Sequence, residues 1–313
     1  MPQLPPGVQR RRAAPRPGLA GPAVKDDRRA LLLGGTAVLL WSTAATAFKL
    51  ALAELTVPQL LALAVATSAV VLLAAVLLTG RGAALLDTLR AAPLSLLAMG
   101  LLNPVAYYSI LLAAYDLLPA QQAQTINYTW AIVLAVLSVP VLGQRLAPRD
   151  WLAVLLGYCG VVIIATEGDP LSLHFTRPAG VALALGSTLL WALFWLLAAR
   201  SRHDPLLALT AQFLLATPAA ALLCLLAGAP LPAAGGGLLA AVYVGLFEMG
   251  ITWLLWSRAL RAASNVSRVG NLIFLAPLLS LLFIALVLGE RIHPATLLGF
   301  ALILPGVVLQ QRR

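Results

Sequence analysis

Glu248 is the residue whose position in this sequence points most directly to chemistry. It lies within an uncharged apolar run, between Gly245-Leu246-Phe247 and Met249-Gly250. A carboxyl group in hydrocarbon is costly, so we expect it to face the protein interior or a wet cavity. There it can take up a proton or bind a cationic amine, which makes Glu248 a candidate for proton coupling and for substrate binding. The alternative is a protonated glutamate that only bonds a neighbouring helix.

Isolated amide groups interrupt three other apolar runs, at Asn103, Asn127 and Asn271. Each can line a cavity or serve as polar glue between helices. The run that contains Asn127 begins too polar for lipid. Its polar residues are Gln121, Gln122, Gln124, Thr125, Asn127, Tyr128 and Thr129.

Aromatic residues are the third group of candidates, because an aromatic pocket suits an apolar ring or, by cation–π attraction, a cationic head. Tyr107 and Tyr108 point to different helical faces, so at most one is expected to reach a cavity. Trp253 and Trp256 are interpreted as anchors at a membrane interface. The aromatic binding candidates are Trp41, Tyr107, Tyr108, Trp130 and Trp191, with core packing as the alternative for each.

Other chemistries lack residues to carry them. Cys159 and Cys224 both lie in apolar stretches and read as small buried hydrophobes. His174, His203 and His293 stand apart, so no metal cluster is visible. No phosphate cradle, hydrolase elbow or ATP-binding motif occurs, so the sequence predicts neither a cofactor nor an enzyme.

The composition predicts an all-α integral membrane protein. Of the 313 residues, 61% are hydrophobic and only 10% charged, with a mean hydropathy of +0.94. A span needs about 20 apolar residues, and charge and turn breaks, including Pro230 and Pro232, divide the chain into ten. The predicted spans lie near 30–51, 58–79, 93–113, 118–140, 150–167, 179–199, 205–227, 237–258, 269–289 and 294–311.

Basic residues set the expected orientation. With the N-terminus in the cytoplasm, 18 of the 21 Lys and Arg residues fall inside and only Arg177 and Arg291 fall outside, as the positive-inside rule requires. Lys49, near the outer end of the first span, is expected to snorkel to the headgroups. Residues 1–29 are predicted to be a disordered basic tail. The net charge of +10 is thereby explained without nucleic acid as a partner, and both termini are expected on the cytoplasmic side of the inner membrane.

An internal repeat divides the chain into two five-helix units, 30–167 and 178–311. Residues 142–162 align without gaps on 288–308, with nine of 21 positions identical, and Leu40-Trp41 echoes Leu190-Trp191. Since five is odd, the second unit must insert upside down relative to the first. Inverted repeats are typical of secondary transporters, in which an interface site opens alternately to each side. Asn103 is the approximate repeat partner of Glu248, which suggests a shared cavity wall.

These residues resemble the ten-helix EamA-type members of the drug/metabolite transporter superfamily. The marks are the Leu288-Gly289-Glu290-Arg291 turn, the Gly306-Val307-Val308 close, Pro277, and Trp41-Ser42 leading to Lys49. Asn127-Tyr128-Thr129-Trp130 is similar to a pattern of the aromatic amino acid exporter branch, with Ala131 in place of its proline. The resemblance implies ten helices around a central cavity and outward movement of amino acids or related small metabolites.

The sequence therefore predicts a secondary transporter that works in the lipid bilayer on a small-molecule substrate, with protons as possible coupling ions. A passive facilitator of the same cargo is the nearest alternative. An intramembrane enzyme acting on lipid head groups is a further one, although no nucleophile or metal constellation supports it. The oligomeric state is left open.

Overall fold

A computed structural model describes residues 25–143, 148–169, 171, 177–229 and 235–311, apart from the side chains of 142, 149–150, 267–268 and 306–311. These residues fold into helices, and no strand occurs among them. Ten long helices follow one another along the chain, and a shorter one, Gly82–Ala91, connects the second to the third. The ten are Asp27–Leu52, Val57–Leu78, Pro93–Leu117, Ala120–Val141, Pro148–Ala165, Pro178–Ala198, Pro205–Leu226, Gly236–Ala262, Asn271–Leu288 and Pro294–Gln311.

Eight of these helices are long and apolar enough to cross a membrane. The fifth and tenth contain shorter apolar segments, Trp151–Ala165 and Pro294–Pro305. The protein is therefore embedded in the membrane and crosses it many times. The predicted spans agree with these helices, except that the first begins at Asp27, within the predicted tail. Residues 1–24, the Gln144-Arg145 turn, His174, Pro230 and Pro232, and Arg312-Arg313 lie outside the described residues.

The repeated Leu-Gly pair ends a helix in both units. Gly143 follows the fourth helix with φ 67°, and Gly289 follows the ninth with φ 68°. This left-handed conformation is open to glycine at no steric cost, and it stops a helix cleanly. The repeat thus has a local structural meaning, because each copy terminates a helix in the same way.

The extensive helix pairings each join a helix of the first unit to a helix of the second. The first helix packs on the eighth, the second on the seventh, the third on the sixth and the fifth on the tenth. In addition, the fourth packs on the sixth and the ninth on the first. The first and eighth helices run antiparallel, because Asp26 N–H donates to the Ala262 carbonyl at one end and Gly237 N–H donates to the Glu54 carboxylate at the other.

Glycines allow close approach where these helices cross. A Cβ atom built on Gly160 in the fifth helix would lie 2.5 Å from the carbonyl oxygen of Gly299 in the tenth. Gly100 stands equally close to the Gln212 carbonyl, and Gly245 to the Ala64 carbonyl. Small residues that bring backbones together are the usual means of helix association in membranes.

Regular α-helix is interrupted within the first helix at Thr43 and within the third, fourth and eighth helices. The third and eighth each contain a π-helical segment, Leu101–Ala106 and Val244–Ile251. Asn103, just before Pro104, departs from helical geometry altogether, at φ −144° and ψ 116°. The fourth helix breaks at 128–129, and the ninth opens with a 3₁₀ turn, Asn271–Phe274. π-bulges are frequent at functional sites, and Glu248 lies within one of these segments.

Candidate functional site

Glu248 is held at the centre of the helix bundle by two neighbours. The Tyr108 hydroxyl on the third helix donates to Glu248 Oε1 at 3.0 Å. On the first helix, Trp41 Nε1 donates to the Glu248 backbone carbonyl at 3.3 Å. No lysine or arginine pairs with this carboxylate among the described residues. Glu248 is half-buried, so an acidic group with a single side-chain partner stands where three helices meet.

A series of ring contacts joins Tyr108 to Trp41, the two neighbours of Glu248, and so forms a closed circuit with it. Tyr108 contacts Tyr107, with centroids 4.8 Å apart, and Tyr107 stacks on Trp191 at 4.6 Å. On the other side Trp41 meets Trp253 at 5.6 Å, and Trp253 meets Trp191 at 6.1 Å. The first, third, sixth and eighth helices thus supply one ring of side chains around a carboxylate, which we call the aromatic circuit: Trp41, Tyr107, Tyr108, Trp191, Trp253 and Glu248.

Trp191 connects the aromatic circuit to further rings. Trp130 on the fourth helix meets it edge-on at 6.5 Å, and Phe194 and Trp195 lie 5.6 and 5.9 Å away. Asn127, one turn before Trp130, donates from Nδ2 to the Ser187 hydroxyl of the sixth helix at 2.9 Å. Asn127 thus ties the fourth helix to the sixth, while Gln124 bonds Tyr115 of the third helix and Gln121 bonds Arg291 after the ninth.

The tyrosine pair and the tryptophans of the eighth helix have well-defined contacts. Tyr107 and Tyr108 contact each other, but Tyr107 stacks on Trp191 whereas Tyr108 meets Phe48 and Glu248. Trp253 packs against Trp41, Trp191 and Trp195, and Trp256 packs on Trp41 at 5.4 Å. That at most one tyrosine reaches a cavity, and that both tryptophans are interfacial anchors, stay predictions.

The other two amide candidates stand outside the circuit. Asn103 is only 2% exposed, and its Oδ1 has no partner within the described residues. It lies one turn before Tyr107, at the break in the third helix. Asn271 is exposed at the start of the ninth helix, and no hydrogen bond or ring contact found in the described part of the chain joins it to the circuit. Of the nine predicted binding residues, seven are therefore brought together.

Lys49 and Glu290 bind helix ends. Lys49 Nζ donates to the carbonyls of Tyr115 and Leu118, at 2.8 and 3.2 Å, where the third helix ends. Glu290 Oε1 accepts from the N–H of Ala120 at 2.9 Å, where the fourth helix begins. Free carbonyls at a helix C-terminus attract a cation, and the expected snorkelling of Lys49 to the headgroups stays a prediction.

Two cavities of about 430 and 420 Å³ lie beside these helix ends. The first is lined by Lys49, Asp116, Arg177, Glu290 and Arg291, among others. The second lies between the first and eighth helices, where Thr43 and Tyr243 share a 2.8 Å hydrogen bond. Neither is lined by the aromatic circuit.

An ion pair joins the two units at a loop. Arg81 Nη2 lies 3.0 Å from Asp204 Oδ2, and Asp204 Oδ1 accepts from the N–H groups of Leu206 and Leu207 at the start of the seventh helix. Partial burial by itself would raise the pKa of Asp204. The Arg81 guanidinium and these backbone N–H groups outweigh burial and hold the pKa below its ordinary value.

Sequence reasoning did not single out Trp195, Trp253 or Ser187 as site residues. Tryptophan and serine are common in membrane helices, and only tertiary contact distinguishes them. A signal did exist for Trp195, which lies one helical turn after Trp191 and on the same face.

Comparisons with known proteins agree with the architecture. The family model for EamA-like transporters matches residues 28–166 and again residues 178–310. A solved crystal structure superposes on 90% of this chain and 96% of its own, with a TM-score of 0.63 and 26% sequence identity. The two matched segments correspond to the two units of the internal repeat.

Two curated relatives carry transporter names. The aromatic amino acid exporter YddG of Ancylobacter novellus is 28% identical over 284 residues, which are 90% of this chain and 96% of the exporter. The uncharacterized transporter YvbV of Bacillus subtilis is 26% identical over 68% of this chain and 70% of its own length. These matches identify a transporter and not an enzyme, and the double match to one family model establishes that the chain belongs to the EamA-like transporter family.

Proposed function

We propose that this protein is a secondary transporter that exports small amphipathic metabolites, with aromatic amino acids as the best-fitting cargo. The observation that carries the proposal is the aromatic circuit, in which one carboxylate is set among tyrosine and tryptophan rings. A carboxylate attracts an ammonium group, and aromatic faces attract both cations and rings. The similarity to an exporter named for aromatic amino acids points the same way.

The proposed transport cycle is alternating access between two inverted five-helix units, 30–167 and 178–311. Antiparallel contacts support the inversion. The end of the first helix meets the start of the eighth at Glu54 and Gly237, and the end of the fifth meets the start of the tenth at Gly168 and Ala295. If all ten helices cross the bilayer, these pairings require repeat-related helices to run in opposite directions.

The proposed binding residues are those of the circuit and its extension on the fourth helix, with Asn103 and Asn271 as wall residues of the same pathway. Trp41, Tyr107, Tyr108, Trp191 and Trp253 surround the ligand ring, and Asn127 and Trp130 border it. The bias of basic residues supports an inner-membrane location with both termini in the cytoplasm.

Glu248 is proposed to couple transport to protons, because a carboxylate that binds an ammonium group in one step can bind a proton in the other. In proteoliposomes loaded with labelled L-phenylalanine, we expect efflux to respond to an imposed pH gradient. Glu248→Gln keeps the size and the Tyr108 hydrogen bond but cannot titrate, so its efflux should no longer respond to the gradient and should fall at least tenfold.

Glu167→Gln is the matched control, because Glu167 is exposed at the end of the fifth helix. It should transport like the wild type. Efflux that ignores the pH gradient in the wild type would identify a passive facilitator, and unchanged pH dependence in Glu248→Gln would remove the coupling role from Glu248.

A further inference from the structure

Trp195 has an unusual indole nitrogen. Its Nε1 is buried and has no hydrogen-bond partner, and it is the only nitrogen among the five side-chain atoms in this condition in the described part of the chain. The others are the oxygens of Thr46, Asn103, Gln212 and Ser280. Buried indole N–H groups usually find an acceptor, and an exception calls for an explanation.

The position of Trp195 connects this donor to the aromatic circuit. Its ring lies 5.9 Å from Trp191 and 5.6 Å from Trp253, tilted by 32° on the latter. Both partners are members of the circuit, and the circuit leads on either side to Glu248. One unpaired donor and one weakly paired carboxylate therefore belong to a single connected set of rings.

The circuit offers no cation for an anionic ligand group. No Lys or Arg side chain takes part in its ring contacts or hydrogen bonds within the described residues, and Lys49 is occupied by carbonyls of the third helix. A zwitterionic ligand that places its ammonium group at Glu248 must then find a neutral donor for its carboxylate. A hydrogen bond to a charged acceptor is about twice as strong as a neutral one.

We propose that Trp195 Nε1 binds the carboxylate of the transported molecule, which makes Trp195 a specificity-determining residue for amino acids over simple amines. The inference rests on the proposed function and goes beyond it in naming the group that reads the carboxylate. In this conformation the nitrogen is covered, so binding requires neighbouring side chains to move aside and admit the ligand.

The test compares two ligands that differ only in the carboxylate, L-phenylalanine and phenethylamine. Their affinities for the full-length protein in detergent are measured by calorimetry. We expect Trp195→Phe to weaken L-phenylalanine binding by about tenfold or more, as for loss of a hydrogen bond to a charged group, and to change phenethylamine binding less than twofold. Trp195→His keeps a ring N–H and should recover part of the difference.

Trp151→Phe is the matched control, because Trp151 is 59% exposed on the fifth helix. Equal weakening of both ligands by Trp195→Phe would show that the ring is only structural and would overturn the proposal. Should that variant not fold, equal affinity of the wild type for the two ligands overturns it as well. A wild type that binds neither ligand contradicts the proposed function itself.

Discussion

Among the residues that the structure describes, Glu248 and Tyr108 form the one side-chain hydrogen bond that ties the carboxylate of the aromatic circuit to another helix. The phenol donates to Oε1 and so orients the carboxylate, while Tyr107 next to it stacks on Trp191. Of these two consecutive residues of the third helix, Tyr108 makes the polar contact with Glu248 and Tyr107 makes the apolar contact with Trp191.

Removing the Tyr108 hydroxyl should loosen the carboxylate without emptying the space around it. We expect Tyr108→Phe to weaken binding of an aromatic amino acid about tenfold or more, because a hydrogen bond to a charged acceptor is worth about 1.5–3 kcal/mol. Calorimetry on the purified protein measures this. Tyr158→Phe on the more exposed face of the fifth helix serves as the control, and an equal loss there would mean that the effect is general.

A site residue could be recognised from the sequence when its side chain is charged. Glu248 stands out because a carboxylate in an apolar run is rare and costly. Trp195 and Trp253 could not be chosen in the same way, since burying an indole ring costs nothing unusual. Trp253 follows the π-helical segment of the eighth helix, which alters the rotation that a regular 3.6-residue period assumes. Trp195 has regular spacing after Trp191, but its unpaired nitrogen shows only in the structure.

Charged side chains at helix ends show how separate elements are joined. Glu54 accepts from an N–H at the start of the eighth helix, Glu290 does so for the fourth, and Lys49 binds the carbonyls that end the third. Each charge has the sign that the helix dipole favours. The sequence placed Glu290 in a turn and Lys49 near the outer end of the first span, but the helix that each one caps is distant in the chain and could not be read from spacing.

The Arg81–Asp204 pair should make stability depend on acid pH. A carboxyl group whose pKa is lowered in the folded protein stabilises it above its ordinary pKa, and that contribution is lost as the pH falls below about 4. Asp204→Asn keeps a good helix cap and should cost roughly 0.2–1 kcal/mol at pH 7. In thermal melts, the difference in melting temperature between the wild type and Asp204→Asn should become smaller toward pH 3.

Asp87→Asn is the control for this pH profile. Asp87 is about 80% exposed and lies 4.0 Å from Arg90 on the connecting helix. Its replacement should leave the melting temperature unchanged at both ends of the range. The role assigned to the ion pair would be contradicted if the melting temperatures of the wild type and Asp204→Asn differed by the same amount at every pH.

At the scale of the whole molecule, the sequence predicted an all-helical membrane protein that contains two copies of one family domain, because hydropathy and the repeat report directly on both. The repeat did not reveal which helices pack together. Pairing depends on small residues such as Gly100, Gly160 and Gly299, and glycine is frequent throughout these helices. The sequence alone does not distinguish a glycine at a helix crossing from a glycine elsewhere in a membrane helix.

The crossing of the fifth and tenth helices should be sensitive to one methyl group. Ala at position 160 would place Cβ against the Gly299 carbonyl and Ile303, so Gly160→Ala should destabilise the protein by about 1–3 kcal/mol. Gly35→Ala is the matched control, because no atom lies within 4 Å of its Cβ position. The melting temperatures of the two variants are measured in detergent. An equal change in both would show that the fifth and tenth helices can move apart at this crossing without loss of stability.

Each of the two units covers surfaces of the other, because the extensive helix pairings run between them. A polypeptide ending near residue 169 would leave bare the glycine stripe around Gly160 and the Glu54 carboxylate, which the remainder of the chain now covers. On the inverted arrangement proposed above, its complement is another molecule of similar shape lying head to tail beside it. On that proposal the protein has the form of two such molecules joined in one chain, and a minimal functional version must supply both, whether joined or mixed.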